Sequence, residues 1–529
     1  MKFRLYVTAL ICIALAIPAA RSQSLPVGTP ALEDYIRRSQ LSGGDSALSF
    51  TIRPVSYSSH SIDVFFPGAE EKAFTQFSVL PVSWQQQFTT RSPYGWNDGL
   101  MIPARGYQTT LSGGVYARLG PLSIQLKPEF VYARNRDFSL FRSGNPGLSN
   151  TFFRLIRNVS DVPEQFGHGA YAKATLGQSS IRLNAGPVSL GFSNENIWWG
   201  PGIRNSIILT NSAPGFRHVT FNTSRPVSTP VGSFEAQVVG GRLEGSGITP
   251  DNDPFQLFVP YSTDWRYFSG IIFTYSPRWT PGLFIGVSRA FNIYHSDLKP
   301  GFRGYLPFLD VLEKKNSEDE DFKGKDQVFS FFSRWVWPEA KAEIYIEYGR
   351  NDHSYNTRDF LIEPDHARAY IFGIRKLIPL NRTGESIGFG FENTNMASGN
   401  TRMIRYGPTW YVHPVIRHGY TNRGEVLGAG IGPGSNLVSN DLSWHKGLNK
   451  STIQVDWYWH NLDYSRVVFN GAAANQWKDV SVAAQADRRY RNFLINAEIR
   501  GIFASNYKYE AGNDPFNFYA KLGLAYYFE

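Results

Sequence analysis

Between residues 516 and 528 the chain alternates strictly. Phe518, Ala520, Leu522, Leu524, Tyr526 and Phe528 share one register, while Asn517, Tyr519, Lys521, Gly523, Ala525 and Tyr527 share the other. Successive side chains of a strand point to opposite faces, so this stretch predicts a strand with one apolar face and one polar or small face. It is long enough to cross a hydrocarbon core when tilted, and its aromatic finish suits an interfacial girdle. The pattern recurs upstream. Leu122, Ile124, Leu126, Pro128, Phe130 and Tyr132 oppose Ser123, Gln125, Lys127 and Glu129, and Ala342, Ile344, Ile346 and Tyr348 oppose Lys341, Glu343, Tyr345 and Glu347. Such strands read as wall segments with lipid on one side and a wet interior on the other.

The connections between these strands alternate in length. Short turns are expected near Gly120, Gly177, Pro230, Pro281, Pro338, Asn381, Gly447 and Arg489, and long loops over residues 135–167, 194–215, 292–326, 350–366, 396–436 and 462–476. Short connections at one end and long ones at the other are the asymmetry of outer-membrane barrels, whose short turns are periplasmic. Counting from a first strand at residues 77–89, the expectation is an all-β fold: a transmembrane antiparallel barrel of about eighteen strands with a short N-terminal helical segment. That segment begins with Thr29 as cap and Pro30 in the first helical position, followed by Glu33 and Asp34, then Arg37 and Arg38 in the last turn and Gly43-Gly44 beyond. Leu32, Tyr35 and Ile36 give the helix an apolar stripe, with which it packs against the barrel or plugs it. The expected boundaries are a signal peptide at 1–22, an N-terminal helical or periplasmic segment at 23–72, and the barrel at 73–529.

Composition supports strands over helices. Aromatics make up 15% of residues and glycines number 49, against 4 methionines. After residue 20 no stretch approaches the roughly 18 consecutive apolar residues of a membrane helix. Lys2 and Arg4 precede an apolar run over residues 5–19, and Ala20-Arg21-Ser22 has the small residues a signal peptidase reads, so the mature chain is expected to begin near Gln23. Cleavage there removes Cys12, the single cysteine, and with it any disulfide. It also removes Lys2, Arg4 and Arg21, taking the net charge from +9 to 9 − 3 = +6. A positive surface suits outer-membrane lipid, lipopolysaccharide or an acidic polysaccharide as partner. No basic cluster interleaves with aromatics as nucleic-acid binders require, so no nucleic-acid partner is expected.

Residues 194–244 hold the most distinctive motifs: Asn196-Ile197-Trp198-Trp199-Gly200-Pro201-Gly202, then Arg217-His218-Val219 and Gly240-Gly241-Arg242-Leu243. With the helix carrying Tyr35, Arg37 and Arg38, with Ser333-Arg334-Trp335 and Glu347-Tyr348-Gly349, and with His418-Gly419-Tyr420-Thr421, they give the chain a clear likeness. It resembles the capsule assembly Wzi family of outer-membrane barrels. The resemblance covers most of the mature chain and implies eighteen strands, a helical N-terminal portion and capsular polysaccharide held at the cell surface. The alternative function is a porin-like channel or transporter for small solutes, which requires an open lumen.

Two groups of residues are candidates for sugar contact. Trp198 and Trp199 ahead of Gly-Pro-Gly offer flat apolar faces at a sharp turn, with Asn196 and Arg217 to meet hydroxyls. Trp410, His413, His418, Tyr420 and Arg423 form the second group. Each group also fits a loop anchored inside the lumen. Other chemistries are not supported. His413 and His418 lack a carboxylate at metal-ligand spacing, so no metal or other cofactor is expected. Glu343 and Glu347 share an inward register, where facing arginines explain them better than a glycosidase pair. In the glycine-rich run at residues 428–434, Pro433 stands where a dinucleotide fingerprint needs glycine, and the EF-hand-like start at Asp319 lacks its final Glu. No Gly-x-Ser-x-Gly elbow is present, and the chain is expected not to be an enzyme.

Overall fold

The computed structural model describes residues 23–44, 48–57, 75–141, 145–250, 253–309, 324–351, 367–399 and 409–528. The expected signal peptide, most of the charged loop at 313–326 and the loop at 352–366 lie outside them. Among the described residues eighteen antiparallel strands close into one barrel. In chain order these are β1 (Thr75–Thr89), β2 (Gly106–Leu119), β3 (Leu122–Leu126 and Glu129–Ala133), β4 (Tyr171–Thr175 and Ser180–Ala185), β5 (Val188–Ser193) and β6 (His218–Thr223 and Val227–Thr229). There follow β7 (Gly232–Leu243), β8 (Arg266–Pro277), β9 (Leu283–Tyr294), β10 (Lys325–Trp337), β11 (Ala342–Asn351) and β12 (Arg368–Pro379). The last six are β13 (Glu385–Asn395), β14 (Asn436–Lys446), β15 (Asn449–Trp459), β16 (Lys478–Tyr490), β17 (Phe493–Ser505) and β18 (Phe516–Tyr526). β18 closes the ring on β1, with Tyr519 opposite Thr89 and Tyr526 opposite Val82.

The apolar register does face outward. Leu122, Ile124, Leu126, Phe130, Ile346 and Leu522 are exposed, whereas Ser123, Gln125, Lys127, Glu343, Tyr345, Glu347 and Asn517 are buried. One expected turn is misplaced. Gly177 does not join two strands; it lies within β4, where its positive φ (54°) and the parallel bridge to Lys127 interrupt the pairing of β3 with β4. The turn itself is at Gly186-Pro187, with Asn184 bonding back to the Pro121 carbonyl. Above the interruption, Tyr171–Thr175 pairs only with β3, and among the described residues no strand pairs with its other edge.

Inward-folded segments fill the lumen. Segments 90–105, 194–217 and 409–435 fold inward, and their Trp199, Ile207, Trp410 and Tyr420 join Phe268, Ile272, Phe332, Ile371 and Leu437 of the wall in one buried cluster. Inward polar groups bond to these segments: Lys521 pairs with Asp98 at 2.6 Å, and the Glu392 carboxylate accepts from the backbone N–H groups of Ile203, Arg204 and Asn205. Unpaired polar groups would be costly in such an interior, and these two wall side chains each fix a loop position.

Helix α1 (Pro30–Leu41) plugs the short-turn end. Thr29 caps it only by position, because its hydroxyl donates to the Pro26 carbonyl instead. Leu32 and Ile36 pack with Leu448, Leu494 and Phe50. Arg37 reaches Glu343 at 2.9 Å, a carboxylate that also meets Arg334 at 2.6 Å and Arg375 at 3.7 Å. Asp34 is held by Arg375 (2.6 Å), Arg38 (2.8 Å) and Lys450 (3.3 Å). Burial would raise the Asp34 carboxyl, but Lys450 and the two arginines hold it well below the usual carboxylate range. Glu347, by contrast, pairs with no arginine among the described residues; it accepts from the Ser206 hydroxyl at 3.0 Å and the Ile207 N–H at 3.3 Å.

Candidate functional site

The Trp-Trp-Gly-Pro-Gly corner lies in the interior, and the expectation that its rings form an open sugar-stacking surface is corrected. Trp198 and Trp199 pair through their backbones with Arg53 and Ile52 of the N-terminal segment. The Trp199 indole is fully buried and donates to Gln237 Oε1 at 2.8 Å. Trp198 carries the Arg53 guanidinium 4.2 Å above its ring, and Arg53 in turn bonds Glu33 and the Gly202 carbonyl. The glycines make this approach possible: a Cβ on Gly200 would stand 2.6 Å from Glu347 Oε2, and one on Gly270 would stand 2.9 Å from the Trp199 ring. Asn196 is likewise buried, bonded to Gln178 and the Ala213 carbonyl.

The second group is split. Trp410 and Tyr420 are fully buried, Tyr420 stacked on Tyr411 with centroids 5.8 Å apart. His413 holds its own turn, its Nδ1 accepting from the N–H groups of Val415 and Ile416. His418 is buried against Tyr261, with ring centroids 4.9 Å apart, and bonds the Tyr294 hydroxyl at 2.9 Å. Burial, with Arg266 and Arg417 nearby, pushes the His418 imidazole down to about 3, so it is neutral at pH 7. These aromatic residues therefore close the lumen and leave no flat face to a ligand.

Two of the nine candidates, Arg217 and Arg423, meet at the rim of the long-loop end, around a residue the sequence reading missed. Glu244 follows the last residue of β7. Its carboxylate receives Arg217 at 2.8 Å, Arg423 at 3.2 Å and Arg242 at 3.3 Å. Partial burial alone would raise this carboxyl, but Arg423 and Arg217 hold it below the usual range. The backbone is fixed from both sides: the Arg242 N–H donates to the Arg217 carbonyl, the Arg423 N–H to the Glu244 carbonyl, and the Glu244 N–H to Asn422. Lys173, on the inward face of the half-paired Tyr171–Thr175 edge, lies within Coulombic reach of Glu244 and Arg423. Arg242 also stands 5.1 Å over the half-buried Trp265 ring, which stacks on His295 at 4.3 Å. Next to Glu244, Gly245 lets His418 approach, and Ser246 bonds Asp161 through both its N–H and its hydroxyl.

Three guanidiniums around one carboxylate leave two positive charges. The Arg217 and Arg242 side chains keep 49% and 45% of their surface exposed. Exposed ion pairs contribute only about 0.2–1 kcal/mol each, so the cluster adds little to the fold, and its unused donors face solvent. Guanidiniums bind carboxylates in bidentate fashion, and an adjacent indole suits the apolar face of a sugar ring. Glu244 and Trp265 were within reach of the sequence: one directly follows Gly240-Gly241-Arg242-Leu243, and the other directly precedes β8.

The model of the capsule assembly protein Wzi family matches residues 102–450, well over half the chain. The chain belongs to the capsule assembly Wzi family. The solved structure of Wzi from Escherichia coli, an outer membrane protein involved in group 1 capsule assembly and a carbohydrate-binding β-barrel, is similar over 96% of this chain and 99% of that chain, with TM-score 0.63 and 14% identity. OccAB4 and OccAB1 of Acinetobacter baumannii are more distant, with TM-scores of 0.40 and 0.42 at 9% and 8% identity over 87% and 86% of this chain and 99% and 98% of theirs. No curated protein sequence matches the chain. Membership of the Wzi family places this barrel in the outer membrane, and the inward segments fill a lumen that a solute channel would need open.

Proposed function

We propose that this barrel binds extracellular polysaccharide at the Glu244 rim and retains it at the cell surface for capsule assembly, as the Escherichia coli relative binds carbohydrate. The observation that carries the reading is the pairing of a filled lumen with a solvent-facing cluster of Arg217, Arg242 and Arg423 on one carboxylate beside Trp265. A polymer of repeated units needs no deep pocket. Many weak contacts, made by several barrels along one chain, add to firm retention.

The test is binding of polysaccharide to purified protein, comparing wild type with a double variant, Arg217→Gln and Arg423→Asn. Asparagine is chosen because Arg423 has a positive φ of 52°, which asparagine tolerates. Binding of a carboxylated polysaccharide is expected to fall at least tenfold and to weaken with salt, while a neutral polymer changes little. Unchanged binding of the carboxylated polymer by a correctly folded double variant would refute the site.

A further inference from the structure

On the outside of the barrel one long loop turns back over the wall. Phe273, Val287 and Phe331 stand opposite one another on β8, β9 and β10 and are exposed, which marks the outward register there. Moving toward the long-loop end, that register brings Ile271, Arg289 and Phe329 and then Ser269, Phe291 and Gln327. Ser269, Phe291 and Gln327 point outward, yet they are only 1%, 5% and 6% exposed. Backbone carbonyls of residues 305 and 308 lie against this part of the wall. The Tyr305 carbonyl accepts from the Tyr267 hydroxyl at 3.0 Å and from Ser269 Oγ at 2.9 Å, and the Phe308 carbonyl accepts from Arg289 Nη1 at 3.1 Å. Arg289 Nη2 donates to Gln327 at 2.9 Å. The Tyr267 and Tyr305 rings meet edge to face at 5.6 Å. In the same strap Phe302 and Tyr305 remain 69% and 47% exposed.

We infer that residues 295–309 form an interfacial strap whose Phe302 and Tyr305 enter the outer leaflet of the membrane. Ser269 lies four residues from Phe273, about 13 Å along a strand that is tilted in the bilayer, and so stays within reach of a lipid-facing band roughly 25 Å tall. An arginine facing lipid there is costly, and the strap removes Arg289 from it by presenting carbonyls that the wall donors fill. At the turn of the strap the Gly304 and Tyr305 N–H groups donate to the Gly301 carbonyl and the Leu306 N–H to the Phe302 carbonyl. The exposed aromatics continue the lipid-facing surface of the same strands, and aromatic side chains are the usual residents of the boundary between acyl chains and headgroups. Lys299, exposed just before the turn, complements anionic headgroups. Lipid is therefore the occupant that the surface fits.

The test places a nitroxide label on a cysteine introduced at Phe302, in full-length mature protein reconstituted into phosphatidylcholine–phosphatidylglycerol vesicles. The only native cysteine, Cys12, precedes Gln23. Leu522→Cys supplies a lipid-facing reference and Glu510→Cys, at an exposed loop position, an aqueous one. The label at residue 302 is expected to be several-fold more accessible to oxygen than to a water-soluble nickel chelate, as at residue 522. A label as open to nickel as that at residue 510 would put the strap in water and overturn the inference. A label shielded from both reagents, with dipolar broadening between copies, would assign the face to a second copy of the chain and overturn it equally. None of these outcomes depends on polysaccharide binding.

Discussion

The Trp198–Trp199 corner lies within the inward segment 194–217, whereas the Glu244 rim gathers the last residue of that segment with residues at the end of β7 and of segment 409–435, and their physics is opposite. At the corner two indoles are removed from water, one with its N–H bonded to Gln237 and the other beneath Arg53. At the rim three arginines share one carboxylate and keep much of their surface in solvent. A buried tryptophan is worth several kcal/mol as core, whereas an exposed ion pair is worth about 1 kcal/mol or less, so the fold has used the aromatics and left the charge. In a barrel closed by its own loops, aromatic runs mark how the lumen is filled, and ligand-facing chemistry is to be sought where strand ends meet solvent.

Replacing Glu343 with Ala leaves Arg37, Arg334 and Arg375 buried without their shared carboxylate and is expected to cost about 3–5 kcal/mol, read as a lowered urea midpoint for the folded barrel. Trp199→Ala, which empties the space beside Gly270, is expected to cost a similar or slightly smaller amount, about 3–5 kcal/mol, while the protein that does fold keeps its polysaccharide affinity. Loss of affinity in folded Trp199→Ala protein would return the corner to the binding site. On the outer wall Leu522→Arg is expected to cost about 2–4 kcal/mol near the midplane, and Gly523→Arg, on the inward register, less; equal effects would mean that the faces are reversed.

A smaller effect comes from pH. Below pH 6.5 the unfolded chain takes up a proton at His418 that the folded ring refuses until about pH 3. Stability rises with pH wherever the unfolded state binds more protons, so this contribution is complete above pH 6.5 and is lost progressively from pH 6.5 toward 3. Unfolding measured in detergent at pH 7.5 and 5 is expected to show a shallower pH dependence for His418→Gln than for wild type. An identical pH dependence would show that His418 does not carry it.

Much of the wall was legible in the sequence because its signal is local. A strand between lipid and interior must alternate, and residues 516–528, 122–132 and 341–348 do so with apolar side chains outward. Gly177 misled because a glycine within a strand can mark a turn or a break, and only the pairing of Lys127 with Gly177 distinguishes them. The fate of the long loops was not legible, since it depends on partners far away in sequence, such as the Glu392 carboxylate beneath the N–H groups of residues 203–205. Arg217 and Arg423 could be nominated singly, but nothing local to either one shows that both reach Glu244. The strap was hidden for the same reason: only the distant pairing of the Tyr305 and Phe308 carbonyls with Tyr267, Ser269 and Arg289 lays this part of the loop at 292–326 on the wall.

The smallest expected change in stability accompanies the central functional claim. Arg217→Gln with Arg423→Asn should cost the fold no more than about 1 kcal/mol for each pair lost, because each pair is at the solvent edge. The decisive measurement is the ratio of cell-bound to shed polysaccharide in cells carrying wild type, this double variant, a Trp198→Ala and Trp199→Ala variant, or no protein, normalised to the amount assembled in the outer membrane. The rim variant is expected to shed polymer nearly as cells without the protein do, and the assembled fraction of the tryptophan variant to retain it like wild type. Full retention by the rim variant, with shedding by the assembled tryptophan variant, would contradict the account.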